Sequence, residues 1–355
     1  MTFFRSCPFT ALLATALAVF FGDAGAAERK AAAQKAEVTA ANAKHETLAQ
    51  GLRPLLTKKR LHGVHHVMQS FAFNPLNGEI YAVQVEGTNE RGTSRQHWEN
   101  GDLELTRLSA DGDEVLGYMF LEGFGHGVSM GVEPEGDTVY LWTEVDSRPI
   151  DDGSGRGTKI GRFRFVNGKT LKHDDVDIAK FVVAEDAIYI TPSLNMAGGL
   201  FMARYASAKR GGRMALFRLA DVKAGGTPKP IYDVPMPKRL GTFQGYCMDG
   251  ERVYLLTGQA YTAANPPPGN AEIFCVDWKT GRVIERGRTD IFGEQVHREP
   301  EGMAIRVRED GARELCVGFA SSISRSDSRR VISIASVPLE AAPQGSRRDS
   351  AAVQR

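Results

Sequence analysis

Four dipeptides that pair a long polar side chain with a small one are spread along the chain: Gln69-Ser70, His126-Gly127, Gln244-Gly245 and Glu301-Gly302. With Ser193 as a weaker third member of the series, the steps between them are 57, 67, 51 and 57 residues. Amide, imidazole and carboxyl groups brought together at one place can donate and accept hydrogen bonds, which suits the hydroxyls of a sugar. The competing reading gives Gln69, His126, Gln244, Glu301 and Ser193 or Asn195 the task of satisfying nearby backbone groups, often through water. His126 lies between Gly125 and Gly127, where the missing side chains let a ligand approach the ring. An imidazole there could act as a general base near neutral pH, or could simply fix a loop.

The run Arg298-Glu299-Pro300-Glu301-Gly302 concentrates charge at the last of these positions. Glu299 and Glu301 are two residues apart and share a face of an extended strand, a carboxyl pair of the kind a glycosidase uses. Glu133 and Glu144 are further carboxyls, and arginines such as Arg298 could hold any of these groups in ion pairs instead. A polysaccharide lyase needs a base and a group that neutralises a uronate, roles open to His126 or Tyr205 with Arg204, Arg298 or Gln244. That inventory is common to many polar channels. Asp146, Asp151 and Asp152 lack the alternation and terminal Glu of a calcium loop and read as a solvated turn. There is no Cys or His spacing suited to zinc, so no metal and no cofactor is expected. Tyr261, beside the stiff NPPPGN turn, is an aromatic face on which a sugar could stack.

Short runs rich in β-branched and aromatic residues must position these groups. FAFNPLNGEIYAVQV, GVEPEGDTVYLWTEV, YCMDGERVYLLTG and AIRVREDGARELCVGF each read as strand, polar turn, strand. The later part of each unit adds another pair, as in GDLELTRLSADGDEVLGYMFL, TKIGRFRFVNGKTL, RMALFRLADV, AEIFCVDWKTGRVIERG and RRVISIASV. Five units of about four strands predict an all-β, five-bladed propeller over residues 54–340. The fifth unit runs short, so ring closure is expected to borrow a strand from around Leu55 to Leu61.

The chain has 355 residues and a formal net charge of +1, which leaves no field to draw it to nucleic acid. Residues 1–27 have the shape of a signal peptide: Arg5, the apolar stretch Phe9 to Phe21, then small residues to Ala27. The stretch is too short for a spanning helix, and a secreted or cell-envelope protein is expected. Residues 28–53 are rich in Ala, Lys and Glu and read as a helical or partly ordered lead-in with no packed core element. Residues 341–355 read as a disordered tail. Cys247, Cys275 and Cys316 remain after cleavage, in apolar strands that favour buried thiols.

The segments MQSFAFNP, GDLELTRLSADG, GFGHGVSMGVEPEG, YLWTEVD, GTFQGY, YLLTG with NPPPGN, and HREPEGMAI together resemble the propeller family shared by teichoic acid biosynthesis protein C and receptor-binding proteins of some bacterial viruses. The resemblance runs over about residues 54–322 and implies recognition of a cell-surface glycan or teichoic-acid-like polymer. In the third blade this chain has AIYITPSLNMAGGLFMARYASA, with no His where relatives carry one, while Arg204 and Tyr205 fit the Arg-Tyr element that follows. The candidate ligand contacts are Gln69, His126, Arg204, Tyr205, Gln244, Tyr246, Arg298, Glu299 and Glu301. If the site is instead that of a lyase or glycoside hydrolase, the catalytic candidates are His126, Tyr205, Arg204 and Glu301.

Overall fold

The computed structural model describes residues 47–339, and the expected signal peptide, the lead-in before Thr47 and the tail lie outside the described residues. Five sheets of strands form the blades of a ring. The first holds β2 (Met68–Phe73), β3 (Ile80–Val85), β4 (Leu103–Leu108) and β5 (Val115–Glu122). The second holds β6 (Gly131–Glu135), β7 (Thr138–Pro149), β8 (Gly155–Arg164) and β10 (Ala179–Phe181). The third holds β11 (Ala187–Asn195), β12 (Leu200–Ser207), β13 (Gly211–Arg218) and β14 (Tyr232–Pro235). The fourth holds β15 (Phe243–Asp249), β16 (Arg252–Thr257), β17 (Glu272–Asp277) and β18 (Val283–Arg288). The fifth holds β19 (Glu299–Val307), β20 (Arg313–Ser322) and β21 (Arg330–Pro338), and its outer strand is β1 (Arg53–Lys59) from the start of the chain.

The sequence dictates a ring because many strands are apolar on both faces. All six residues of β2 and of β3 are buried. Alternate side chains of a strand point to opposite faces. Tyr81, Val83 and Val85 therefore enter the core shared with the second blade, while Ile80 and Ala82 enter the core shared with the fifth. The same division recurs around the molecule, giving five cores, each between two neighbouring blades. Burial on both faces of each sheet supplies the hydrophobic stabilisation, about 25 cal/mol per Å² of apolar surface.

Three details depart from the sequence reading. The GKTL segment does not pair with β8: β9 (Thr170–Lys172) adds a fifth strand to the first blade, parallel to β5. RMALFRLADV is one strand, β13, followed by a short helix. The end of the lead-in does pack: Ala49, in α1 (Leu48–Gly51), and Leu52 are buried against the fourth and fifth blades. Cys247, Cys275 and Cys316 are free, buried thiols. Among the described residues no helix is long and apolar enough to cross a membrane.

Candidate functional site

The inner strands β2, β6, β11, β15 and β19 surround the axis and begin at one mouth, called the upper mouth here, and end at the lower one. Bulges interrupt four of them near their upper ends, at Gln69, Ile188, Gln244 and Glu301-Gly302. A bulge re-aims a side chain that a regular pleat would send into a sheet face. In the third blade the bulge falls at Ile188, and Ser193 and Asn195 instead line the lower mouth, so neither is the third member of the upper series.

At the upper mouth a cleft of ≈ 400 Å³ lies between the first and second blades. It is lined by His66, Val67, Gln69, Val85, Ser94, Arg95, Trp98 and His126. Gln69 and His126 are thus brought together. Neither the Gln69 amide nor either ring nitrogen of His126 bonds to a described residue, so both bring unspent hydrogen-bonding capacity to the cleft. Burial, followed by the charge of Arg156, lowers the His126 pKa to about 3, which leaves the ring neutral at physiological pH.

The loop carrying His126 is held from below by Glu144. Its carboxylate accepts the backbone N–H groups of Gly127 at 2.8 Å and Gly157 at 2.6 Å, and that of His126. A Cβ at Gly125 would lie 2.3 Å from the Glu144 carboxyl carbon, while Gly127 sits at φ +78°, where a Cβ would also press on Val83, so glycine is required at both positions. Burial raises the Glu144 pKa against the opposing pull of Arg156 and these N–H groups. Glu144 is therefore an anchor of the loop, as Glu133, bound by Trp142, Arg162 and Lys223, is of the second blade.

The wall opposite is α2 (Ser94–Asn100), inserted between β3 and β4. Thr93 caps it through a reciprocal pairing with Gln96, and Gly101 closes it in a left-handed conformation. Helical spacing puts Ser94, Arg95 and Trp98 on one face. The Arg95 guanidinium lies 4.9 Å from the centre of the Trp98 ring, and Ser94 Oγ is 3.0 Å from His66 Nε2. Behind the helix, buried His97 binds Asp102 through Nδ1 at 2.8 Å. Burial, and next His65, lowers the His66 pKa. The sequence reading does not single out His66, Ser94, Arg95 or Trp98; the signal lay in Thr93 with Gln96 and the four-residue step from Ser94 to Trp98.

The other candidates are placed elsewhere. Tyr205 donates to Asp233 in the outer strand β14 at 3.2 Å and accepts from Arg210 at 2.9 Å, away from His126. Tyr246 is buried, donating to the Thr191 carbonyl at 2.6 Å and accepting from Arg204 N–H, so it ties the fourth blade to the third. The Arg204 guanidinium lies 4.0 Å over Phe243, with its Nε buried and unpartnered. Arg298 is 1% exposed and donates to the carbonyls of Ile291, Pro268 and Thr289, which makes it a clamp on the loops of the fourth blade. Tyr261 packs on this clamp and donates to Gly293 O at 3.0 Å. Gln244 donates to Gly258 O at 3.0 Å. Glu299 lies 3.3 Å from His297, while Glu301 is buried, and its pKa is raised well above the ordinary carboxyl value, first by burial and then by Glu299.

A protein of Bacillus subtilis (strain 168) named as a major teichoic acid biosynthesis protein C is 28% identical over 264 residues, which is 72% of this chain and 56% of that protein. The tail fiber of Staphylococcus aureus phage P68 superposes with a TM-score of 0.62 at 15% identity, over 81% of this chain and 52% of that one. The chain thus spans a little over half the length of each. A family model, the phage 5-bladed beta propeller receptor binding platform domain, matches residues 67–333, and the chain belongs to that family.

Proposed function

We propose that this propeller recognises a cell-wall or extracellular glycan of the teichoic-acid type in the upper cleft, outside the cytoplasm as residues 1–27 lead one to expect. The observation that carries this reading is the pairing of unspent polar groups, Gln69 and His126, with the Trp98 ring across one cleft. Sugar sites combine few well-placed polar groups with an aromatic face. Among the described residues, the side chains of Arg156 and Arg330, which act on His126 and His66 respectively, bond to the hydroxyls of Ser154 and Ser322 and form no ion pair, although the charges of Asp152 and Glu144 reach Arg156 and that of Glu299 reaches Arg330. Cations near the cleft that are not locked in ion pairs suit an anionic polymer. The relatives' names point the same way.

The test is isothermal titration of the purified protein with teichoic acid. Wild type binds, and Trp98→Ala and His126→Ala each weaken binding about tenfold, ~1.4 kcal/mol, at a temperature where all three are folded. Equal affinity in all three proteins would overturn the reading. A second reading, hydrolase or lyase action, draws on Glu301, a carboxyl whose pKa is raised by burial and by Glu299, the direction of shift a general acid needs. New oligosaccharides by mass spectrometry, absent with Glu301→Gln, would establish it.

A further inference from the structure

Between the two mouths the inner strands of neighbouring blades meet closely. A Cβ on Gly245 would lie 2.7 Å from Gly302 Cα, and one on Gly302 would lie 2.8 Å from Ser70 Cα. The inner strands of the fourth, fifth and first blades therefore touch backbone to backbone at this level. Ser70 Oγ extends the seam to the second blade by donating to the Gly127 carbonyl at 2.6 Å. Below the seam lies a second cavity of ≈ 430 Å³, a cup at the lower mouth.

All five blades line this cup, among them Phe71, Met130, Leu194, Met248 and Met303. Its wall is mainly apolar, and its charged groups are Asp249 and Arg313, 2.6 Å apart. Small-molecule sites have this size and make-up, mostly apolar with a few polar groups. Methionines fit their unbranched side chains to the shape of a guest. The ion pair fixes the charge of that guest. Asp249 is buried and Arg313, its counter-ion, is 26% exposed, so a charged head would have to disturb a partly desolvated pair, whereas a hydroxyl or amide could join it.

We propose that the lower mouth is a second ligand site, independent of the upper cleft, that takes one uncharged, mainly aliphatic or aryl molecule with a hydroxyl or amide head against Asp249 and Arg313. Titrating the full chain with the uncharged dye N-phenyl-1-naphthylamine tests this. Ala197→Trp adds bulk at the exposed rim, and Ala304→Phe fills the wall. The expected result is one bright dye per chain, absent in both variants and retained in Trp98→Ala. Decanol should displace the dye about tenfold better than decanoate or decylamine, because both charged compounds must disturb the ion pair. No dye binding, unchanged binding in Ala197→Trp with its rim covered, or equal displacement by the three competitors would each overturn the proposal.

Discussion

Replacing Glu144 with Gln keeps the shape of the side chain and exchanges one acceptor oxygen for a donor. The oxygen facing Gly127 N–H can remain, but the new NH2 group then meets the N–H of Gly157 across a gap that is 2.6 Å in the wild type. The variant loses one charge-assisted hydrogen bond, about 1.5–3 kcal/mol, and leaves opposed buried donors unsatisfied, about 1–3 kcal/mol more. Burial already disfavours the charged carboxylate, so removing that charge returns part of the loss. The net expectation is destabilisation by about 3 kcal/mol. With a urea m-value of about 3 kcal/mol/M for a domain of this size, the midpoint falls by about 1 M. Because the Glu144 carboxylate also holds the His126 N–H, glycan affinity should fall even under conditions where the variant is fully folded. Urea denaturation followed by fluorescence, with titration calorimetry at low denaturant, measures both. A shift under about 0.3 M together with wild-type affinity would refute the view that Glu144 sets the position of the His126 loop.

The lowered pKa of His126 makes the protein sensitive to acid. Between about 3 and 6.5 the unfolded chain binds a proton at this residue that the folded chain does not, so stability drops as pH falls through that window. The ring edge opens on the cleft, so wild type should lose about 2 kcal/mol more than His126→Gln between pH 7 and pH 4, read by urea melts at the two pH values. Equal losses would show that the ring is not held neutral by burial. At the seam, Gly302→Ala puts a side chain at φ +77° with its Cβ 2.8 Å from Ser70 Cα. Thermal and urea melts should show destabilisation by about 3 kcal/mol, and a change under about 1 kcal/mol would mean the blades part there at little cost.

The blade count was legible because each blade repeats one pattern: an apolar strand pair, a polar turn and a second pair. The upper series was legible in four blades because the small residue of each dipeptide has a physical task. Ser70, Gly245 and Gly302 are where inner strands touch, and Gly127 receives the Ser70 hydroxyl. The third blade has no such contact to mark it, and Ser193 was aligned by spacing alone. Tyr205, Tyr246 and Arg298 are polar residues near the inner strands whose hydrogen bonds are spent within the fold, a distinction that depends on distant partners such as Asp233, Thr191 and Thr289. Trp98 reaches the cleft through a seven-residue helix inside an all-β pattern, and a helix so short leaves little periodicity to read.

The pairing of β1 with β21 also sets an order of events. Arg53 lies opposite Ser336, so the first strand of the ring meets its partner only after almost the whole propeller has been synthesised. Until then β1 has no sheet to join, and closing so long a loop makes this a slow, late step of assembly. A waiting strand is a hazard, since bare backbone can recruit another chain. The residues of β1 guard against it: Pro54 withholds a donor, and Arg53, Lys58 and Lys59 set positive charge along the edge. The strand that locks the finished ring thus carries its own protection for the time before the lock exists.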